Sequence, residues 1–330
     1  MDGPSRHHDL ISVVIPTFNR AHRVVRAIAS AASQTYPEVE IIVVDDGSSD
    51  STGRLVRDLD CQRPLSLIEM RANQGAPTAR NRGIAASAGR WVAFLDSDDI
   101  WHPRKLECQM ESLLLHGGEF GACYTGLAAY DDAGILRGVS RATDEGDIRA
   151  GLMTHNLVGS TSSALVRKDL LTDVGGFAPT LRSCQDWDLW VRLAERTRFA
   201  CVPEILTVMS DAPAARISSD GRGRLSGHLY MYRTHLRPHL KAGTADPAIF
   251  LATLGEIFMQ MGRPGRAAKV LHMNWRAKRR SLKRLALCAM AYARVGKSQF
   301  LRTEAWFSRV ERVVRPPRVQ LPFDPLSFNP

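Results

Sequence analysis

Two groups of carboxylates stand where short apolar runs stop, and their types and spacing suggest one chemistry. Ile41-Ile42-Val43-Val44 runs into Asp45-Asp46-Gly47-Ser48, and Trp91-Val92-Ala93-Phe94-Leu95 runs into Asp96-Ser97-Asp98-Asp99. Carboxylates gathered in one crevice repel one another unless a cation sits among them. A hard divalent ion such as Mg²⁺ is the natural partner, because it takes one or two protein carboxylates and completes its shell with substrate phosphates. Asp96 and Asp98 suit that task, since alternate side chains of an extended segment point the same way. Taken alone, the same D-x-D also fits a solvated turn. Asp45 to Asp50 has two readings as well: a D-G turn followed by a helix cap at Ser49 or Asp50, or a carboxylate accepting from a nucleobase N–H or ribose hydroxyls.

A third acidic pair lies in Ser183-Cys184-Gln185-Asp186-Trp187-Asp188. Residues two apart on a helix diverge, so only one of Asp186 and Asp188 can serve a site. Asp186 three residues after Ser183 fits a capping box. It also fits a general base whose pKa is raised by neighbouring tryptophans and carboxylates. Arg80, in Asn73-Gln74-Gly75-Ala76-Pro77-Thr78-Ala79-Arg80-Asn81, falls on the first turns of a helix, where a guanidinium can pair with phosphate oxygens. The alternative for Arg80 is an ordinary surface arginine.

The elements that must position these groups alternate along the chain. Strands are expected at Ile11–Ile15, Ile41–Val44, Leu65–Met70 and Trp91–Leu95, and helices at Ala21–Ser33, Ser49–Leu59, Pro77–Ala88 and Pro103–Leu115. Such alternation predicts an α/β fold: a Rossmann-like, mostly parallel sheet with helices on both faces. Ligands of open α/β sheets bind outside the carboxyl ends of the strands, where both acidic clusters fall. The middle is less regular, with strands expected at Ala122–Tyr130 and Thr161–Val166 and a helix at Asp186–Glu195. From Ser226 onward the pattern is helical, with one faint tetratricopeptide-like unit around Leu254-Gly255 and Gly262. A first domain over 1–225, divided at 127/128, and a basic helical region over 226–330 are expected.

The 330 residues, 44% hydrophobic, are enough to bury a full core. No apolar run approaches the roughly 18 residues of a membrane span, and the polar first residues lack a signal peptide's apolar stretch. Six scattered cysteines with no C-x-x-C pair predict buried thiols in a reducing, cytoplasmic setting. The net charge of +10 is uneven: Gly262–Arg318 holds sixteen Lys and Arg against Glu304 and Glu311, so it carries +14 and the remainder −4. Leu282, Leu285, Leu287, Met290, Tyr292, Phe300, Leu301, Trp306 and Phe307 interleave with these charges. Helices with an apolar stripe and a cationic face are expected there. They could pack on the catalytic core, make a homodimer, or rest at the periphery of the plasma membrane's anionic inner face. The last residues, Arg315–Pro330, hold five prolines and are expected to be extended.

Together, Pro16-Thr17-Phe18-Asn19-Arg20, Val44 to Asp50, Ala79-Arg80-Asn81-Arg82-Gly83, Phe94 to Asp99 and Gln185-Asp186-Trp187-Asp188 resemble family 2 glycosyltransferases of the GT-A fold, in order and spacing. The resemblance covers about Ile11 to Ile205. It implies an inverting transfer of a sugar from a nucleotide sugar, a UDP-sugar first, to a glycan, lipid-linked, peptide or small-molecule acceptor. It implies donor contacts from Thr17, Asn19, Arg20, Asp46, Arg80 and Asp96, a Mn²⁺ or Mg²⁺ on Asp98 and Asp96, and Asp186 as base. Gln185 stands where that family usually has Glu. Two other classes compete: a nucleotidyltransferase, although Pro16 to Arg20 lacks a glycine-rich phosphate loop, and a nucleic-acid binder using Arg276, Lys278, Arg279, Arg280, Lys283 and Arg284. The tail carries no recognisable nucleic-acid module, so no nucleic-acid partner is expected.

Overall fold

A computed structural model describes residues 9–131, 133–210, 220–242 and 248–277. The expectations for the tail beyond 277, including its basic helices and proline-rich end, lie outside the described residues.

The first half of the chain alternates as its pattern predicts. β1 (Ile11–Thr17), α1 (Ala21–Ala32), β2 (Val39–Asp45), α2 (Thr52–Arg57), β3 (Leu65–Glu69), α3 (Ala76–Ala86) and β4 (Trp91–Phe94) follow one another. β1 is buried at every residue, because β2 and β4 flank it in parallel and helices cover both faces. A strand in that position reads as a continuous apolar run. Val13 and Ile15 face one side and join Val24 and Ile28 of α1; Val14 faces the other and joins Ile84 of α3. α3 lies close to the sheet because Gly83 offers no side chain: a Cβ there would stand 2.2 Å from a Val14 methyl.

The chain then makes β5 (Ile100–Trp101), α4 (Lys105–His116), β6 (Phe120–Tyr130), β7 (Leu136–Ser140), α5 (Arg149–Leu152), β8 (Ala164–Arg167), α6 (Lys168–Asp173), α7 (Gln185–Ala194) and β9 (Arg198–Ser210). A helical set follows: α8 (Gly221–Met231), a π-type turn at Tyr232–Leu236, α9 (Arg237–Ala242), α10 (Ala248–Gln260) and α11 (Pro264–Ala277). Among the described residues nine strands form one sheet, ordered β3-β2-β1-β4-β8-β6-β9-β5, with β7 on β6. The expected parallel arrangement holds across β3-β2-β1-β4. Beyond β4 the sheet is mixed: β8 runs antiparallel to both β4 and β6, while β9 runs parallel to β6. Thr161–Ser163, expected as the start of a strand, is a 3₁₀ turn feeding β8. The order 3-2-1-4 reverses direction between β1 and β4, and such switch points open a crevice at the strands' carboxyl ends.

Behind that crevice a polar string crosses the core. Trp101 Nε1 donates to the Ser162 carbonyl (2.8 Å), and Gln109 Nε2 donates to the Ser163 carbonyl (3.0 Å). Lys105, fully buried, donates to Gln109 Oε1 at 2.7 Å and lies 4.2 Å over the Trp101 ring. Burial with no carboxylate partner pushes its ammonium down to about 7. The unfolded chain therefore holds this proton over a pH range in which the folded chain has released it, and stability rises with pH there. Relative to Lys105→Met, the wild type should gain about 2 kcal/mol between pH 6 and 8.5 in urea denaturation. A constant difference between the two proteins would show that the lysine does not titrate on folding.

Candidate active site

The ends of β1, β2 and β4 deliver Thr17, Asp46 and Asp96 to one cleft of about 590 Å³. Arg20, Arg80, Asp98 and Asp186 line the same cleft. Asn19 does not: its Oδ1 accepts from the Ser49 N–H (2.9 Å) and its own N–H donates to Ser48 Oγ (2.8 Å), so it braces the 45–50 turn. That turn is more than a D-G reversal. Gly47 has φ +76°, and a Cβ there would stand 2.8 Å from the Ala72 carbonyl carbon. The two loops are thereby pressed together, and Asp46 fastens them: Oδ1 accepts from the Gln74 N–H (2.7 Å) and Oδ2 from the Gly75 N–H (2.8 Å). A carboxylate oxygen has more than one lone pair, so Asp46 can hold the loop and still face a nucleoside.

The D-x-D turn is held by residues from distant parts of the chain. Arg80 Nη2 meets Asp96 Oδ1 at 2.6 Å, and Thr161 Oγ1 lies 3.3 Å from both Asp96 oxygens. Ser162 Oγ accepts from the Asp96 N–H (3.0 Å) and donates to Asp99 Oδ2 (2.6 Å). Asp99 also accepts from the Ser210 N–H at the end of β9 (3.2 Å). It is a structural anchor, its carboxyl raised well above the usual range by burial and by the charges of Asp98 and Asp96. Asp98 is raised too, by burial and then by Asp96, and partly drawn back by Arg20 and Arg23, each 3.9 Å away.

These carboxylates fit a hard divalent ion. Among the described residues no three His, Cys, Asp or Glu cluster as a complete metal cage. Asp96 and Asp98 nevertheless supply oxygen donors whose mutual repulsion a cation relieves, and substrate phosphates can complete the shell. Two further atoms await partners: Thr17 Oγ1 and Arg80 Nε are buried at this cleft with no hydrogen bond. Unsatisfied buried polar groups are rare, and here they sit where a polar ligand would lie.

Asp186 and Asp188 diverge as their spacing requires. Asp186 lines the cleft and accepts from Asn156 Nδ2 at 2.7 Å. Burial raises its pKa despite the hydrogen bonds from the Trp187 N–H and Asn156 and the charge of Arg80. Asp188 is fully buried and bound by Arg192 Nη2 (2.7 Å) and His235 Nε2 (2.9 Å). Burial pushes its carboxyl up, but His235 and Arg192 together outweigh that and hold it low. The capping-box reading does not hold. The N-cap of α7 is Cys184, in the left-handed region at φ +59°, with no side-chain cap.

The family profile described as "Glycosyl transferase family 2" matches residues 12–175. An uncharacterized glycosyltransferase of Rickettsia prowazekii, RP339, is 30% identical over 264 residues, 75% of this chain and 81% of that protein. The chain belongs to glycosyltransferase family 2. It is also similar to the Escherichia coli UDP-Glc:alpha-D-GlcNAc-diphosphoundecaprenol beta-1,3-glucosyltransferase WfgD, 39% identical over 111 residues, 34% of this chain and 44% of that protein. Among the first four curated relatives the matched share of the relative's own length runs from 26% to 64%, so the chain spans less than two thirds of each. The fold is GT-A: a mannosyltransferase from Pyrobaculum calidifontis, solved with GDP-Man and Mn²⁺, superposes with a TM-score of 0.59, covering 94% of this chain and 88% of that one at 20% identity. Family membership removes the nucleotidyltransferase alternative.

Several contributors to this family 2 site escaped the sequence reading. The run Ser160-Thr161-Ser162-Ser163, in which the Thr161 and Ser162 hydroxyls secure Asp96 and Asp99, was visible as a polar cluster before an apolar run. Asn156 and Arg23 carried no signal, because nothing near them in sequence is functional. The cysteines are free among the described residues, but only Cys123 is buried; Cys61, Cys108, Cys184 and Cys201 are half-buried. Asp98→Ala should abolish metal-dependent nucleotide binding while thermal unfolding stays near wild type, since the ion pairs that would be lost are long, 3.9 Å each. Unchanged nucleotide affinity in that variant would remove Asp98 from the metal site.

Proposed function

We propose that this family 2 member is an inverting glycosyltransferase that moves a sugar from a nucleoside-diphosphate sugar, a UDP-sugar first, to an acceptor hydroxyl in polysaccharide or glycoconjugate biosynthesis. One observation carries the reading: a single cleft presents Thr17 and Asp46 for a nucleoside, Arg80, Asp96 and Asp98 for a diphosphate, and Asp186 for the acceptor. UDP is favoured by the donor named for the E. coli relative, and a lipid-linked saccharide acceptor by the same protein's name.

In the reaction, Thr17 Oγ1 and Asp46 orient the nucleoside. Asp96 and Asp98 would hold Mn²⁺ or Mg²⁺, which when bound would offset the charge that develops on the departing diphosphate. Arg80 supplies a fixed cation to the same oxygens. Asp186 takes the proton of the acceptor hydroxyl as its oxygen attacks the anomeric carbon. The bond from that carbon to the diphosphate oxygen breaks, its electron pair leaving with the nucleotide. A single displacement of this kind inverts the anomeric configuration.

Asp186 acts only when ionised, and its pKa is raised. The kcat profile should therefore fall on the acid side through a pKa above the ordinary carboxylate value. Asp186→Asn should keep donor affinity near wild type and lower kcat about a hundredfold or more. Equal loss of donor binding would assign Asp186 to structure instead. A screen of UDP- and GDP-sugars for metal-dependent hydrolysis tests the donor itself, with turnover of a UDP-sugar expected; turnover confined to GDP-sugars would overturn the assignment of uridine.

For a lipid-linked acceptor the reading places the enzyme in the cytoplasm, peripheral to the inner face of the plasma membrane. No helix among the described residues is long and apolar enough to cross a membrane. The +14 segment supports contact with anionic lipid, at about 1 kcal/mol per basic residue near the surface. Salt-sensitive co-sedimentation with anionic liposomes is expected; protein that stays in the supernatant at low salt would leave the segment to packing or dimerisation.

A further inference from the structure

Gln185 lines the cleft between the cation and the base, and the mechanism above gives it no task. It is 8% exposed, and its amide faces two groups with opposite needs. Oε1 accepts from Arg80 Nη1 at 3.1 Å, while Nε2 donates to the Leu181 carbonyl at 3.0 Å. Arg80 is itself buried, paired with Asp96 Oδ1 at 2.6 Å and lying 5.2 Å over the Phe177 ring. Asp96 and Arg80 cancel in charge, and the amide adds none. An ionised glutamate in this place would leave the trio net negative. It would also set a carboxylate oxygen, which can only accept, against the Leu181 carbonyl oxygen. The carbonyl requires a donor and Arg80 requires an acceptor. A neutral amide of this length meets both needs without adding negative charge to a cleft that already holds Asp46, Asp96, Asp98 and Asp186.

We propose that Gln185 is a positioning residue for the leaving diphosphate: it fixes the Arg80 guanidinium in the cleft while leaving its charge for the anion that departs. The inference rests on the nucleotide-sugar reading and deepens it by naming what spares the anion subsite a further negative charge. The amide also ties Arg80 to the first turn of α7, so the anion-binding group is anchored to the helix that carries Asp186. An uncharged nucleoside in the same cleft gains nothing from this arrangement.

Calorimetric titration of UDP and uridine, and of GDP and guanosine, in saturating Mn²⁺ separates charge from structure. Gln185→Glu should raise the Kd of the bound diphosphate about tenfold or more while the matching nucleoside changes by less than about twofold. Gln185→Leu keeps the local charge but frees the guanidinium, so its effect on the diphosphate should be smaller, about threefold. If the glutamate variant does not fold, the leucine variant decides: a loss selective for the diphosphate supports the role. Parallel weakening of nucleoside and diphosphate, or no change in either, overturns it. Wild-type protein that binds neither diphosphate overturns the donor reading, and this inference with it.

Discussion

Three carboxylates within four consecutive residues, Asp96, Asp98 and Asp99, must be held at the mouth of one strand, and much of the surrounding structure serves to make that tolerable. Each is handled differently. Asp96 receives a short ion pair from Arg80 on α3. Asp98 meets Arg20 and Arg23, from the end of β1 and the start of α1, only at ion-pair limits. Asp99 is satisfied by the Ser162 hydroxyl and the Ser210 N–H, neither of them charged. Burial first, and then the repulsion that remains, raises the carboxyls of Asp98 and Asp99. A fold that needed only stability would gain from replacing such a group by apolar residues, so its retention argues for a ligand that brings positive charge.

Which parts of this could be read from sequence follows from where each signal is stored. The parallel half is legible because β1, β2 and β4 are buried on both faces and so write their location as uninterrupted apolar runs. The divergence of Asp186 and Asp188 follows from helical period alone. β9 was not legible, although it is the longest strand described. Pro203 and Glu204 interrupt it, and the register against β6 shifts on either side of Gly126, where the β9 backbone comes so near that a Cβ would meet the Glu204 carbonyl at 2.8 Å. Its burial therefore loses strict alternation. β5 is two residues long and gains its structure from β9, far along the chain, and β7 is a short, largely exposed hairpin partner of β6. The contributions of Asn156 and Ser162 are tertiary in the same sense: the role of each appears only when the fold brings a distant carboxylate to it.

The helices after β9 are part of the site's construction. α8 spans the boundary expected at residue 225 and packs against the loop that precedes α7. Gly227 lets it approach so closely that a Cβ would stand 2.6 Å from the Ser183 carbonyl. His228 reaches Cys184 (Nδ1 to Sγ 3.4 Å), and His235, from the π-type turn, binds the buried Asp188. Ser183 and Cys184 line the cleft, and Asp186 follows two residues later. The position of the proposed base is thus set jointly by the loop after α5, through Asn156, and by the helical region that leads into the basic tail.

Because Asp96 and Asp98 alone make an incomplete cage, the metal and the diphosphate should need each other. Electron paramagnetic resonance of Mn²⁺ titrated into the protein, with and without UDP or GDP, measures that dependence directly. Weak Mn²⁺ binding to the protein alone, tightening by at least about tenfold when the nucleoside diphosphate is present, is the result expected of a shared site. Mn²⁺ affinity that is the same with and without either nucleotide would contradict it.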